Sequence, residues 1–77
     1  MKHLRITYIL RTDIVKDEEN AEFTVYGITA LNNDGKVLDT YSDIFFDKQK
    51  AIEFVSLCNS EKLELIHLKD VVEDALI

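Results

Sequence analysis

Hydrophobic and polar residues alternate along the first part of the chain. Every second residue from Leu4 to Ile14 is apolar or β-branched, and the residues between them are mainly polar. The apolar or β-branched series comprises Leu4, Ile6, Tyr8, Leu10, Thr12 and Ile14. Alternation with a period of two is typical of a β-strand that buries one face. The pattern predicts a first strand from Leu4 to Ile14, followed by a solvated turn at 16–20.

A second strand is predicted from Glu22 to Leu31, because this segment is rich in threonine, valine, isoleucine and aromatic residues. Gly27 lies inside it, where the missing side chain indicates a bulge or a close approach by another element. Since a bulge exchanges the two faces of a strand, the sequence leaves open whether Val25 or Ile28 continues the buried row.

The run Asn32-Asn33-Asp34-Gly35 predicts a tight turn, because these residue types tolerate left-handed backbone angles. A third strand is predicted after it, from Lys36 to Ser42. Two short connections in succession favour an antiparallel meander with the second strand in the centre.

The hydrophobic period changes to that of a helix after Asp47, which is suited to cap the free amides of a helix start. An apolar stripe with the spacing i, i+3, i+4, i+7 follows, made of Ala51, Phe54, Val55 and Cys58. Asn59 is the expected left-handed residue at the end of this helix.

A second amphipathic helix is predicted near the end of the sequence. Its apolar face comprises Leu65, Leu68, Val71, Val72, Ala75 and Leu76, and its polar face Lys69, Asp70, Glu73 and Asp74. Short helices are marginal in water unless they pack on another surface, and the sheet offers the only large one. The predicted fold is therefore one α+β domain over 1–77, a three-stranded antiparallel meander with two C-terminal helices on one face (β-β-β-α-α).

The composition narrows the classes of function. The 77 residues carry a net charge of −6, and 47% of them are hydrophobic. Acidic residues outnumber basic ones in both halves and no basic cluster accompanies aromatic residues, so we expect no nucleic-acid partner. No apolar stretch has the length of a signal peptide or membrane span, and the single cysteine cannot form an internal disulfide. A cytoplasmic protein without membrane contact is expected.

Few residues are candidates for metal binding or catalysis, and each of them also has a simpler structural explanation. His67, Asp70 and Asp74 share one face of the second helix and are weak candidates for a divalent metal site, which needs three or four ligands. Their simpler interpretation is a histidine near the helix start that pairs with the aspartate one turn further on. Cys58 continues an apolar stripe, where burial makes a thiol unreactive. We expect no catalytic residues, no bound metal and no cofactor, hence no enzyme.

The second half of the chain resembles a family of short uncharacterised proteins from Gram-positive bacteria of the spore-forming type. The resemblance spans about residues 23–76 and rests on Asp43–Lys48, Leu57–Asn59 and Ile66–Asp74, which ends in a His-Leu-x-Asp-Val-[Ile/Val]-Glu-Asp block. The chain departs from that family at Phe45 and at Glu64-Leu65, where serine and Ser-Pro are usual. The resemblance implies no known activity; it marks His67, Asp70, Glu73 and Asp74 as polar positions of interest.

The favoured interpretation is a non-catalytic interaction module that forms a homodimer or docks to another, unidentified protein. The alternative is a small metal- or ligand-binding regulator that uses the polar face of the second helix. Two helices cover only one face of the sheet, so apolar side chains on its other face and its unprotected edges favour self-association. The expected interaction surface comprises Ile9, Tyr26, Ile28 and Glu73, with Phe23 and Val25 as the alternative pair on the second strand.

Overall fold

A computed structural model describes residues 5–76, which form three β-strands followed by two α-helices. The elements are β1 (Thr7–Lys16), β2 (Glu22–Leu31), β3 (Val37–Phe45), α1 (Lys48–Ser60) and α2 (Leu65–Ala75). The strands form one antiparallel sheet in the order β1-β2-β3. The predicted α+β class and β-β-β-α-α order are confirmed.

The β1–β2 hairpin lies slightly further along the chain than the alternation predicts. β1 begins at Thr7 and continues to Lys16, while Leu4, the expected first residue, lies outside the described residues. The turn is closed by the Asp17 carboxylate, whose Oδ1 accepts the amides of Glu19 and Ala21 at 2.8 and 2.9 Å. An aspartate bonding to amides downstream is a common way to close a tight turn.

The β2–β3 turn forms at the predicted residues. Asn32 Oδ1 accepts hydrogen bonds from the amides of Asp34 and Lys36, both at 2.9 Å. Gly35 has φ +80°, a left-handed angle that glycine adopts without steric cost. The Asn32 side chain thus provides a hydrogen-bond acceptor for turn amides that are not paired in the β2–β3 ladder.

Gly27 marks a close approach of β2 to a bulge in β3. Its α-carbon faces Tyr41, and a β-carbon there would overlap the Tyr41 carbonyl oxygen and lie 2.9 Å from the Ser42 Cα. The pairing moves from Ile28↔Tyr41 to Tyr26↔Phe45, so β3 contains extra residues at this point, and Asp43 has φ +58°. Because pairing resumes after the bulge, β3 extends to Phe45 and not, as predicted, only to Ser42.

Helix α1 begins as predicted and ends later. Asp47 Oδ1 accepts the amides of Gln49 and Lys50 at 2.9 and 3.4 Å. The left-handed residue at the far end is Lys62, with φ +51°, so the assignment of this role to Asn59 is wrong. The physical reason is that Asn59 remains helical and directs its side chain to β1.

The core lies between one sheet face and the two helices. Its buried members are Tyr8, Ile28, Ala30, Val55, Cys58, Leu68 and Val72. In α2, Leu68 and Val72 are 0% and 3% exposed, which confirms the predicted facing of this helix. Leu76, the C-cap residue, continues this face one turn after Val72, but it is 57% exposed at the end of the helix.

Candidate interaction surface

The sheet has one face that no helix covers, and the strand register identifies its residues. Directly opposed residues of antiparallel strands share a face. The pairs Tyr8↔Ala30 and Leu10↔Ile28 belong to the core side, so Ile9↔Thr29 and the residues alternating with them belong to the opposite side. We call this second side the open face.

A polar network crosses the middle of the open face. The Arg11 guanidinium donates to both carboxylate oxygens of Asp13 at 2.7 and 3.2 Å, and to Thr40 Oγ1 on β3 at 3.2 Å. The Thr40 and Thr29 hydroxyls are 2.9 Å apart. Hydrogen bonding and charge from Asp13 raise the pKa of Arg11. Arg11 thus reaches from β1 past its β2 partner Gly27 to β3.

Apolar side chains lie on both sides of this network. Ile9 and Val37 are 43% and 56% exposed, and the register places them at one end with Leu31 between their strands. At the other end, the rings of Phe23 and Phe46 pack with centroids 6.0 Å apart, although Phe46 is 74% exposed. The open face therefore combines two apolar ends with a polar centre.

The expected interaction surface needs correction at three residues, one of which, Glu73, lies on α2 and not on the sheet. Ile9 lies on the open face, but Tyr26 and Ile28 lie on the core side, and Ile28 is fully buried. The register between β1 and β2 runs without interruption through Gly27, because the bulge is in β3, so the faces of β2 are not exchanged. The alternative row of Phe23 and Val25 shares the face of Ile9, but of these two only Phe23 is exposed, because Val25 is fully buried.

At one point on the outer edge of β1, a side chain from a helix forms hydrogen bonds with the strand backbone. The Asn59 amide of α1 bonds the Tyr8 backbone twice, accepting from its N–H and donating to its carbonyl oxygen, each at 2.8 Å. The Tyr8 hydroxyl donates to the Leu63 carbonyl at 2.6 Å. These bonds join β1 to the end of α1. The sequence analysis does not predict these hydrogen bonds, because it assigns Asn59 to the left-handed position at the end of the helix.

The only cysteine of the described chain lies beside this junction. Cys58 is a free, buried thiol, 4% exposed. Desolvation raises its pKa, and desolvation together with the charge of Cys58 raises the pKa of Tyr8. A thiol whose ionisation is suppressed in this way is a poor nucleophile at neutral pH.

The candidate metal ligands do not form a site. His67, Asp70 and Asp74 are all exposed on α2, and within residues 5–76 no three histidine, cysteine or acidic side chains are grouped so that they could hold an ion. Glu73 is also exposed, and its charge contributes, after desolvation and Asp39, to a raised pKa of Tyr41 on β3.

A groove at one end of the molecule has no counterpart in the sequence predictions. It has a volume of about 720 Å³ and lies between the start of β1 and the α1–α2 connection. Its lining mixes apolar Leu63 and Ile66 with charged Arg5, Lys62 and Glu64. The groove brings together residues almost sixty positions apart, so no local pattern could have indicated it.

The fold and the open sheet define a class: a small α+β protein in which two helices cover one face of a three-stranded antiparallel meander. The chain belongs to the family of unknown function DUF6514, whose model matches residues 1–77. No curated protein and no solved structure matches the chain significantly. In the described part of the chain, neither helix is long and apolar enough to cross a membrane.

Proposed function

We propose that this protein is a non-catalytic, cytoplasmic module that self-associates through its sheet. The observation that carries the proposal is the amount of apolar side-chain surface left on and beside the sheet after the helices have packed. Ile9, Val37 and Phe46, which lie on or beside the open face, are each between 43% and 74% exposed. Scattered exposed apolar residues are normal, but a cluster on one side of a small sheet favours a partner.

The proposal also draws on the size of the domain. A chain of 77 residues buries only about 60–65% of the surface that its unfolded form exposes, so its own core gives modest stability. A second copy would add buried area without a cofactor or a disulfide. Two-fold dimers are the commonest oligomers and bury about 800 Å² per subunit.

The non-catalytic part of the proposal rests on the character of the polar groups. Among the described residues, the best-organised polar cluster is the Arg11–Asp13–Thr40 network, whose donors and acceptors bond to one another. Its threonine hydroxyls bond to a guanidinium and to each other and not to a general base, so the network contains no activated nucleophile. The alternative of a metal-dependent regulator is not favoured, because its three ligands are not grouped.

Sedimentation equilibrium over a range of protein concentrations tests the proposal. We expect a reversible monomer–dimer equilibrium that is insensitive to a chelator. A single species at the monomer mass throughout the micromolar range would contradict self-association. A shift in mass on adding zinc or manganese would favour the regulator instead.

A further inference from the structure

The outer edge of β1 is free over one regular stretch. The N–H and C=O groups of successive strand residues point to alternate sides, and those of Tyr8 point outward to Asn59. Those of Leu10, Thr12 and Ile14 therefore point outward as well, and no hydrogen bond within the described chain reaches them. An unpaired edge of this length is a template for another strand.

The other outer edge of the sheet is less suited to pairing. β3 is interrupted by the bulge around Asp43, and a bulge twists an edge away from a flat partner. The first part of β1 is closed by Asn59. Within residues 5–76, the regular and open part of a strand edge is thus the second half of β1.

We propose that two copies of this chain pair antiparallel along the second half of β1, with the two-fold axis at Thr12, so that two three-stranded sheets join into one of six strands. This inference rests on the proposed self-association and specifies its interface. In this register Thr12 faces the partner's Thr12, and Leu10 faces the partner's Ile14. Each facing pair exchanges both backbone hydrogen bonds, since all of these groups point outward.

The register also places opposite charges together. Arg11 faces the partner's Asp13, and Asp13 faces the partner's Arg11. Both side chains are partly exposed, 39% and 31%, and already form an ion pair within the chain at 2.7 Å. Association around this axis therefore assembles four alternating charges, an arrangement that other registers do not produce. Opposite charges on facing strand positions stabilise a pair, and like charges destabilise it.

The same axis covers one exposed apolar side chain on the core side of the sheet. Ile14 is 68% exposed and lies on the core side of the sheet, beyond the helices. Pairing would bring it against the partner's Leu10, which is half-buried at the margin of the core. The pairing ends before Tyr8, where Asn59 occupies the backbone. Both copies keep their helices on the same side of the joined sheet.

Charge complementation tests the interface with two variants, Arg11→Glu and Asp13→Lys. Each variant alone places two pairs of like charges across the axis, so we expect dimerisation to weaken about tenfold or more. In an equimolar mixture, the glutamate at position 11 faces the lysine at position 13, and Asp13 of the first variant faces Arg11 of the second. We expect the mixture to form a heterodimer close to wild-type affinity.

Disulfide trapping provides a second readout that does not depend on changing the charges. Thr12→Cys places a thiol at the axis, and we expect mild oxidation to link two chains covalently. Thr7→Cys lies on the same strand, exposed but away from the axis, and should remain monomeric on a non-reducing gel. The wild-type protein, with its buried Cys58, measures the background level of disulfide crosslinking.

The outcomes of these two experiments distinguish pairing through β1 from self-association through another surface. A wild-type dimer that persists in both charge variants, together with no Thr12→Cys crosslink, would overturn the β1 interface and leave the proposed function standing. A monomeric wild-type protein would overturn both. Heterodimer formation in the mixture, with crosslinking at position 12 and not at position 7, supports the two-fold pairing.

Discussion

Asn59 joins two elements that are far apart in sequence. Its amide supplies one donor and one acceptor to the Tyr8 backbone, 51 residues away, and so takes the place of a neighbouring strand at that point. The bonded groups are partly buried, where an unsatisfied N–H or C=O costs more than on the surface. The bond pair therefore fixes the start of β1 against the end of α1.

Removing this amide should lower the stability of the fold. We expect Asn59→Ala to reduce the free energy of unfolding by about 1–3 kcal/mol, because both Tyr8 groups lose their partners. Asn59→Asp should be at least as harmful, since a carboxylate cannot donate to the Tyr8 carbonyl. Urea denaturation measures the change. Ser60→Ala, at the exposed neighbouring position, should change it by less than about 0.5 kcal/mol, and equal losses in both alanine variants would contradict the assigned role.

The thiol of Cys58 should be protected in the folded protein. Burial blocks access and raises its pKa, so little thiolate forms at neutral pH. We expect a thiol reagent to label the native protein slowly and the denatured protein at once. Rapid labelling of the native protein at neutral pH would show that the α1 stripe is not buried as described.

Helix α1 ends in a Schellman motif, an element-scale feature that periodicity could not locate. The Leu63 amide bonds the Cys58 carbonyl at 3.0 Å, the Lys62 amide bonds the Asn59 carbonyl at 3.2 Å, and Lys62 is left-handed. Glycine is the usual residue at this position, because a β-carbon is strained there.

Replacing Lys62 by glycine should therefore stabilise the protein. We expect Lys62→Gly to increase the free energy of unfolding by about 0.5–1 kcal/mol, through relief of the left-handed strain. Lys69→Gly, the same substitution inside α2, should decrease it by about 1 kcal/mol. Thermal unfolding of the two variants checks the signs, and a loss of stability in both would show that the α1 terminus is not strained.

The facing of α2 makes a second prediction at the scale of elements. Val72 is 3% exposed, so Val72→Asp would bury a charge without a partner and cost several kcal/mol, comparable with the whole stability of a domain of this size. Asp74→Ala lies on the exposed face and should change stability by less than about 1 kcal/mol. Circular dichroism melts distinguish the two, and similar melts would mean that the helix is rotated.

Prediction from sequence succeeded where the signal is local. The β-branched and aromatic residues of 22–31 predicted β2, the Asn32–Gly35 run predicted the turn, and Asp47 predicted the start of α1. It failed where a distant contact decides the conformation. The sequence does not show that the bulge beside Gly27 lies in β3 and not in β2, and the end of α1 depends on the pairing of Asn59 with Tyr8. Of the residues expected on the interaction surface, Ile9 lies on the open face, whereas Tyr26 and Ile28 lie on the core side and Glu73 lies on α2.

At the scale of the whole molecule, the charge does not oppose association through β1. The net charge is −6, and the acidic residues of the β1–β2 turn, from Asp17 to Glu22, lie beyond the proposed axis. Across the axis itself the charges alternate, with Arg11 against Asp13. Added salt should weaken the dimer modestly, because it screens the partly exposed pairs but not the backbone hydrogen bonds.

The central claim is that the protein self-associates, and its mass in solution tests this most directly. Light scattering coupled to size exclusion reports mass independently of shape. At tens of micromolar and above, the account predicts a species of twice the 8.9 kDa chain mass, which dissociates on dilution. A constant mass of 8.9 kDa up to the highest attainable concentration would contradict it.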